Sequence, residues 1–363
     1  MGGPATGVCI VTRWKVNTKA GPIVGGYPGA ARVGRAMLAT VAMALGVLLA
    51  GCGPTSFLVT PVPAARNLDE HVLIREGPWA YKKVTLIDVD GVLRNQREQR
   101  PLAPVGENPV SLFKEKLDKA AADKRVKAVV VRINSPGGTV TASDLMYTEL
   151  RRFRERSSKP VIASLLDVGA SGGYYLACAA DKIYAHPTTV TGSIGVIMIA
   201  PEVSGTMQKL GIRTNVFKSG ELKDAGSPFR EMNERDREVF QNIIDRMYAR
   251  FVDVVAQSRS GIGKDRLGAL ADGRVYLAPQ AKEHGLVDEL GTLHDAIAAA
   301  KQAAGIDDEK VLVVQYARPL GHRANVYAHV PGSPTQVNLV NLQLPEWLNS
   351  PAPQFLYLWA PGW

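Results

Sequence analysis

One serine, Ser171, lies among the small residues of the stretch 169–175, between an apolar strand-like run (161–166) and an apolar helix-like run (174–180). A side chain placed there can lie at a helix N-terminus, where backbone N–H groups and the helix dipole stabilise developing negative charge. Such a hydroxyl suits nucleophilic attack on a carbonyl carbon. The same residues also fit a plain turn in which Ser171 caps the helix.

A second small-residue turn, Ser135-Pro136-Gly137-Gly138, follows the apolar run 126–133. Acyl transfer needs N–H donors aimed at the oxyanion, and glycine lets a substrate carbonyl approach the backbone closely. The turn therefore suits an oxyanion site. By itself the tetrapeptide fits a structural turn equally well.

Two kinds of base could activate the serine. The pattern Gly-Ala-Ser-Gly-Gly fits the nucleophile turn of α/β-hydrolases, which requires a histidine. The candidates, none in a recognisable catalytic frame, are His186, His284, His294, His322 and His329. The alternative is a lysine in 217–228, Lys218 or Lys223, since an amine can act as a base when burial favours its neutral form. Composition alone makes Lys223 a solvated loop charge.

Short apolar runs alternate with amphipathic helical patterns along the chain. The predicted strands are 83–89, 126–133, 161–166, 182–185, 213–217 and 310–315, with a further apolar run at 194–199. The predicted helices are 110–123, 141–156, 174–180, 204–210 and 233–257. This alternation predicts an α/β fold of βαβ units with a mainly parallel sheet.

Charge and cysteine content exclude several classes of function. The net charge is +9, but residues 1–51 carry five basic and no acidic residues, which leaves +4 for the remainder. No basic stripe with interleaved aromatic residues is present, so nucleic-acid binding is not expected. The three cysteines (Cys9, Cys52 and Cys178) lie far apart and indicate neither a metal site nor a disulfide framework.

The N-terminal part has the features of a leader. An uncharged apolar run, 36–51, follows Arg32 and Arg35 and is short for a membrane-spanning helix, which needs about 20 residues. It ends in Leu-Ala-Gly before Cys52, which resembles the bacterial lipobox and implies lipidation of Cys52. An ordinary signal peptide or an uncleaved anchor is the alternative. Because residues 1–32 are unusual for a leader, translation from Val33 is a further hypothesis.

Six motifs occur in one order, and together they closely resemble the signal peptide peptidase A (protease IV) family over roughly 83–300. They are Ser-Pro-Gly-Gly at 135–138, Gly-Ala-Ser-Gly-Gly-Tyr-Tyr at 169–175, Thr-Gly-Ser-Ile-Gly-Val at 191–196, Lys-Ser-Gly with Lys-Asp and Ser-Pro at 218–228, Gly-Arg-Val-Tyr at 273–276 and Gly-Leu-Val-Asp at 285–288.

The resemblance implies a role for five residues. Ser171 is the expected nucleophile and Lys223, not Lys218, the general base, with Ser193 supporting the lysine amine by a hydrogen bond. The backbone N–H groups of Gly138 and Gly172 are the expected oxyanion donors. No metal or other cofactor is expected.

The resemblance also implies the Clp protease/crotonase fold of stacked βαβ units and the short, single-repeat form of the family. That form builds homo-oligomers with active sites at or near subunit interfaces, where serine and lysine can come from adjacent subunits. Expected substrates are extended peptides, such as cleaved signal peptides or misfolded membrane and secreted segments. A lipid on Cys52 would hold the catalytic domain on the extracytoplasmic (periplasmic) side of a bacterial membrane.

The expected organisation has four parts: a leader (1–51), a lipid-anchored tether (52–82), a Ser/Lys peptidase domain (83–302) and a C-terminal extension rich in proline and aromatic residues (303–363). We expect the extension to pack on the body; contact with the membrane interface or a neighbouring subunit is the alternative.

The chain departs from the family pattern in two places. Residues 277–284 lack the usual Thr-Gly after the aromatic residue, and the expected anchor is a lipid where many relatives have a transmembrane helix. Two other functions are also considered: an inactive membrane scaffold of the same family, and a crotonase-type acyl-CoA enzyme. The joint presence of Ser171, Ser193 and Lys223 argues against both.

Overall fold

A computed structural model of the chain describes residues 67–96, 107–306, 310–318 and 354–359. The leader, Cys52, and the histidines His322 and His329 lie outside these ranges, so the predictions that involve them are not addressed by the structure. Within the described ranges, no helix combines the length and the apolar character needed to cross a membrane.

The strands fall into one large sheet and one small one. In chain order they are β1 Asp69–Arg75, β2 Lys82–Asp90, β3 Val126–Ser135, β4 Gly137–Thr139, β5 Val161–Ala170, β6 Lys182–Ala185, β7 Val190–Gly192, β8 Ile197–Ile199, β9 Val275–Leu277, β10 Glu289–Leu290, β11 Val311–Ala317 and β12 Gln354–Leu358. The large sheet runs β1-β11-β2-β3-β5-β6-β10, with β7 and β9 branching from β5, and the small sheet is β4-β12-β8.

Helices connect the strands and cover both faces of the large sheet. They are α1 Pro109–Ala122, α2 Val140–Ser157, α3 Gly172–Ala177, α4 Ser204–Lys209, α5 Glu234–Ser258, α6 Lys264–Leu270, α7 Ala278–Glu283 and α8 Leu293–Ala303. A short 3₁₀ turn, Glu221–Asp224, precedes α5.

The large sheet is mainly parallel, as predicted. Every pair from β11 through β2, β3, β5 and β6 to β10 is parallel, whereas β1 and β9 pair antiparallel at its margins. Alternation along the strands divides the core into two clusters. Ile87 and Val131 face α1 and α2, while Leu86 and Val130 face α8. The prediction of an α/β fold built from βαβ units is therefore confirmed.

The sheet includes strands on both sides of the predicted range 83–302. β1 lies in the predicted tether and β11 in the predicted C-terminal extension, yet the two pair with each other and β11 pairs with β2. The buried amine of Lys83 adds ion pairs to Glu70, at 2.7 Å, and to Asp123, at 2.8 Å. Both outlying segments therefore contribute to the folded body.

One predicted strand is wrong. Residues 213–217 have no strand partner, and their side chains are exposed, Phe217 to 97%. The apolar pattern that suggested a sheet strand instead belongs to a surface segment.

Three parallel strands carry predicted site residues at their carboxyl ends. Gly138 comes just after β3, Ser171 follows β5, and Ser193 follows β7. Strand β5 pairs with both neighbours, with Gly169 opposite Ser135 and Ala170 opposite Gly192. In open α/β sheets this edge is the usual place for a binding site.

Candidate active site

Ser171 is held in an unusual backbone conformation between β5 and α3. Its φ is +51° and its ψ is −116°, its N–H donates to the Gly192 carbonyl at 2.7 Å, and its carbonyl accepts from Tyr175 N–H at 2.8 Å. A positive φ at a non-glycine residue costs about 1–3 kcal/mol and persists only where the surroundings enforce it. The two hydrogen bonds supply that enforcement.

The Ser171 hydroxyl does not cap the helix that follows. It makes no capping hydrogen bond, although Ser171 precedes α3 directly. The residue is 1% exposed, and its Oγ has no hydrogen-bond partner among the described residues. Buried polar atoms are nearly always paired, so an unpaired hydroxyl requires an explanation. This finding removes the interpretation of Ser171 as a simple cap.

The turn that holds Ser193 adjoins Ser171, and Ser193 has the same positive φ. Its φ is also +51°, and its N–H donates to the Arg274 carbonyl at 2.7 Å. The neighbouring Gly192 carbonyl is the acceptor for Ser171 N–H, so the two serine turns are joined directly. The structure thus brings the predicted nucleophile and the predicted supporting serine to the same place.

The predicted oxyanion glycines lie in a crowded backbone cradle. A Cβ atom on Gly172 would lie 3.1 Å from Gly137 Cα and 3.1 Å from the Tyr357 carbonyl oxygen. A Cβ atom on Gly138 would instead overlap the backbone of Leu93. Gly137, with φ +102°, faces Gly172 and Tyr357. No role was predicted for Gly137 from the sequence, although it belongs to the same Gly-Gly pair as Gly138.

Lys223 makes no hydrogen bond to the Ser171 hydroxyl in the described part of the chain. It is exposed on the 3₁₀ turn, and its amine makes no hydrogen bond or ion pair to any described residue. The amine of Lys218, in contrast, donates to the Glu221 carbonyl at 2.9 Å and to Asp224 at 2.8 Å. Of these two lysines, only Lys223 therefore has an amine without a partner among the described residues.

An ionic cluster fixes the turn that carries Lys223. Arg230 binds Asp224 at 2.9 Å and also pairs with Asp236, whose side chain completes the capping box of α5. Hydrogen bonds from Arg230, and next from Lys218, hold the pKa of Asp224 well below its usual range. The cluster joins the Lys223 turn to the start of α5.

A group of aromatic side chains adjoins the serine. Tyr175, one helical turn after Ser171, stacks on Tyr357 with centroids 5.2 Å apart and packs edge-on against Phe251 at 5.0 Å. Its hydroxyl donates to Asp144 at 2.5 Å, and Arg250 also binds Asp144. Burial, and next the Asp144 carboxylate, raise the pKa of Tyr175, so its hydroxyl remains protonated.

The C-terminal strand β12 lies between β4 and β8. It is antiparallel to both, with Tyr357 opposite Gly138 and Phe355 opposite Met198. The prediction that the aromatic tail packs on the body is confirmed for this segment. No pattern in the sequence indicated the pairing of β12 with β4, the strand that contains Gly137 and Gly138.

No described histidine hydrogen-bonds the Ser171 hydroxyl, which has no such partner among the described residues. His186 is exposed and contacts Thr188, while His284 packs against Tyr276. The described part of the chain also holds no group of three or more His, Cys, Asp or Glu side chains arranged to bind a metal. The arrangement at Ser171 thus offers a nucleophile and a backbone cradle, with no base next to it in the described ranges.

Comparison with known proteins adds independent findings to this geometry. A family model described as "Peptidase family S49" matches residues 154–307, which include Ser171, Ser193 and Lys223. Among solved structures, a mutant of ClpP1 from Listeria monocytogenes matches with a TM-score of 0.38 and 17% identity, over 58% of this chain and 94% of the other. A likeness of that size supports no conclusion about activity or assembly.

Three curated relatives carry protease names. "Putative signal peptide peptidase SppA" of Enterococcus faecium is 36% identical over 64% of this chain and 66% of its own length. "Serine protease SPPA, chloroplastic" of Arabidopsis thaliana is 40% identical over 56% of this chain, but the match spans only 30% of that longer protein. "Putative protease slr0021" of Synechocystis is 36% identical over 63% of this chain and 77% of its own length. The chain therefore belongs to peptidase family S49, the signal peptide peptidase A family of serine proteases.

Proposed function

We propose that the chain is a membrane-anchored serine endopeptidase that cleaves extended peptides through an acyl-enzyme at Ser171, with Lys223 as general base. One observation carries the proposal: a buried, unpaired hydroxyl sits on strained backbone beside a glycine cradle at the carboxyl edge of the sheet. Backbone strain of this kind clusters at active sites. Buried structural hydroxyls are nearly always hydrogen-bonded.

The proposed reaction uses few groups. The neutral Lys223 amine takes the Ser171 proton as Oγ attacks the peptide carbonyl carbon, and the same group then protonates the leaving amine. Backbone N–H groups of Gly172 and Gly138 bind the oxyanion, while the Ser193 hydroxyl orients the lysine amine. Water, deprotonated by the lysine, hydrolyses the ester and frees Ser171.

We propose that Lys223 acts on the serine of a neighbouring copy in a homo-oligomer. Two observations support this arrangement: no described hydrogen bond joins the two residues within a chain, and the segment before Lys223 carries an apolar surface. Its exposed side chains are Leu210 at 69%, Ile212 at 50%, Val216 at 54% and Phe217 at 97%. Exposed apolar patches mark interaction sites, and burial of the turn in an interface favours the neutral amine.

The proposed substrates are remnant signal peptides and misfolded membrane or secreted segments, bound in extended form. The pairing of β12 with β4 supports an extended peptide, because β4 carries Gly137 and Gly138 and already accepts an added strand. We further propose lipidation of Cys52, which would hold the catalytic body on the extracytoplasmic side of a bacterial membrane. The lipobox-like end of the apolar run at 36–51 supports the anchor.

A fluorophosphonate probe tests the proposed function in detergent extracts of cells that make the full chain. We expect covalent labelling of the wild-type protein at Ser171 and none of Ser171→Ala, because only an activated hydroxyl attacks the phosphorus atom. Absence of wild-type labelling would contradict the peptidase and favour a scaffold. Turnover of acyl-CoA without labelling would instead favour a crotonase-type enzyme.

A further inference from the structure

The Ser135 hydroxyl connects the ends of two neighbouring strands. Ser135 is the last residue of β3, and it is fully buried. Its Oγ donates a hydrogen bond to the Gly91 carbonyl at 2.6 Å and accepts one from the Gly137 N–H at 3.1 Å. Gly91 follows β2, and Gly137 begins β4. One hydroxyl group therefore joins the glycine turn after β3 to the segment after the adjacent strand.

The other end of Gly137 is held by the backbone of that same segment. The Gly137 carbonyl accepts from the Leu93 N–H at 2.8 Å, and the Leu93 carbonyl accepts from the Thr139 N–H at 2.9 Å. Leu93 thus runs parallel to β4, beside Gly138. Because Ser135 holds the N–H of Gly137 and Leu93 holds its carbonyl, both soft dihedral angles of Gly137 are constrained.

These hydrogen bonds determine where the Gly138 N–H points. The peptide between Gly137 and Gly138 is trans, so its carbonyl and its N–H point in opposite directions. The carbonyl points to Leu93, and the N–H therefore points to the other side of β4, along which β12 pairs. The Cβ position of Gly137 lies on that side as well, against the Tyr357 carbonyl and 2.6 Å from the nitrogen of Gly172. The two expected oxyanion donors therefore lie on the same side of β4.

A pair of glycines needs such support. Neither Gly137 nor Gly138 has a side chain whose packing would resist rotation of the peptide between them. If this peptide turned over, its carbonyl oxygen would take the place of the N–H and would repel the developing oxyanion. The hydrogen bonds at both ends of Gly137 oppose that rotation.

From these contacts we infer that Ser135 is a positioning residue of the active site, whose hydroxyl keeps the Gly138 N–H directed at the oxyanion. The inference rests on the proposed function, since it assigns a role within that same acyl-transfer site. Because Ser135 is fully buried and its hydroxyl is engaged on two sides, it acts through Gly137 and not on the substrate. Its effect falls on the transition state, in which the carbonyl oxygen carries the negative charge.

Ser143 provides a control that resembles Ser135 in burial and position. It is also fully buried, and its hydroxyl also donates to a backbone carbonyl, that of Thr139, at 3.1 Å. It too lies beside the cradle, because a Cβ atom on Gly172 would overlap the Ser143 Oγ. Among the described hydrogen bonds, however, the Gly137 N–H is bound by Ser135 and not by Ser143.

The experiment compares the full wild-type chain in detergent with its Ser135→Ala and Ser143→Ala variants. Two inhibitors probe the site: the aldehyde acetyl-Leu-Leu-leucinal and the matching alcohol acetyl-Leu-Leu-leucinol. The Ser171 Oγ adds to the aldehyde carbon, the carbonyl oxygen becomes an oxyanion, and the hydroxyl proton passes to the base. The alcohol has no carbonyl at this position, so it reports binding without an oxyanion.

Ser135→Ala should lower kcat for a quenched fluorescent peptide at least ten-fold and leave KM within three-fold of wild type. It should weaken inhibition by the aldehyde at least ten-fold and change inhibition by the alcohol less than three-fold. Complete loss of an oxyanion donor costs about 10²–10³ in kcat, and a misdirected donor costs less. Ser143→Ala should stay within three-fold of wild type in all four measurements.

A second variant, Ser135→Cys, keeps the test open if the alanine variant unfolds. Its thiol is a weak hydrogen-bonding group, so the same difference between aldehyde and alcohol should appear with a smaller loss. If the folded Ser135 variant weakens both inhibitors equally, or keeps the wild-type kcat, the inference is overturned.

The two proposals fail separately. Fluorophosphonate labelling of the wild-type chain, without the difference between the inhibitors in the Ser135 variant, would leave the peptidase standing and remove the role of Ser135. Absence of labelling in the wild-type chain would contradict the peptidase itself.

Discussion

The carbonyl oxygen of Tyr357 occupies the space that a β-carbon on Gly137 would need. Gly137 also has a φ of +102°, so two independent constraints favour glycine at this position. The first comes from close approach of a strand and the second from the backbone itself. Docking of β12 beside the serine thus depends on a missing side chain.

Gly137→Ala should therefore displace β12 and reduce peptide hydrolysis at least a hundred-fold, because the new methyl group enters the cradle. The matched control is Gly273→Ala, whose φ of +90° imposes similar strain but whose Cβ would meet no atom within 4 Å. Both variants should lose about 1–3 kcal/mol of unfolding free energy in urea from backbone strain. Equal hydrolysis by the two variants would contradict the role of the cradle.

Lys223→Ala should lower peptide hydrolysis by about 10²–10⁴-fold, the usual loss when a general base is removed. Lys218→Ala should cost less than about ten-fold, because that amine serves the ionic cluster around Asp224. Initial rates with a quenched fluorescent peptide, and fluorophosphonate labelling of Ser171, measure both effects. If the Lys223→Ala protein hydrolysed peptides at the wild-type rate, the proposed role of Lys223 as general base would be contradicted.

Mixing inactive variants tests whether neighbouring copies share their catalytic groups. Purified Ser171→Ala and Lys223→Ala proteins, dissociated and reassembled together, should recover measurable hydrolysis, since some interfaces then pair an intact serine with an intact lysine. Each variant reassembled alone is the control and should stay inactive. Failure of the mixture to recover, with mixed oligomers confirmed by mass, would place both groups in one chain.

The ionic cluster below Lys223 should make stability depend on pH. Because the folded-state pKa of Asp224 lies below the unfolded value of about 3.9, its contribution is complete above about pH 5 and is lost as the pH falls toward the folded pKa. The difference in urea midpoint between wild type and Asp224→Asn should therefore shrink between pH 6 and about pH 2. If the difference in urea midpoint stayed constant over this pH range, the charge of Asp224 would not contribute to stability.

Much of the site followed from the sequence because its parts come directly after strands. Apolar runs predicted β3 and β5, and the turns after them therefore had to meet at one edge of a parallel sheet. The conformation of Ser171 could not be predicted, since its positive φ depends on a hydrogen bond to Gly192, in a turn distant along the chain. The absence of a partner for its hydroxyl among the described residues likewise depends on how these turns pack together in the folded chain.

The errors and omissions have a common physical origin. Residues 213–217 have the composition of a strand, but a strand needs a partner edge, and the described chain provides none. β12 has such a partner, yet it lies in the small sheet rather than in the regular βαβ series. Pairing between segments far apart in sequence is not encoded in local pattern.

Helix α5 has a consequence that reaches beyond a single cleft. It begins at the ionic cluster that fixes the Lys223 turn, and about 20–25 Å further along its axis the Met247 carbonyl and Phe251 contact Tyr357. In the proposed assembly, that helix contacts β12 of its own subunit and positions its own Lys223 to act on the serine of the next subunit. In that homo-oligomer, we expect occupancy of one site to change the activity of its neighbour, so that turnover is cooperative rather than independent.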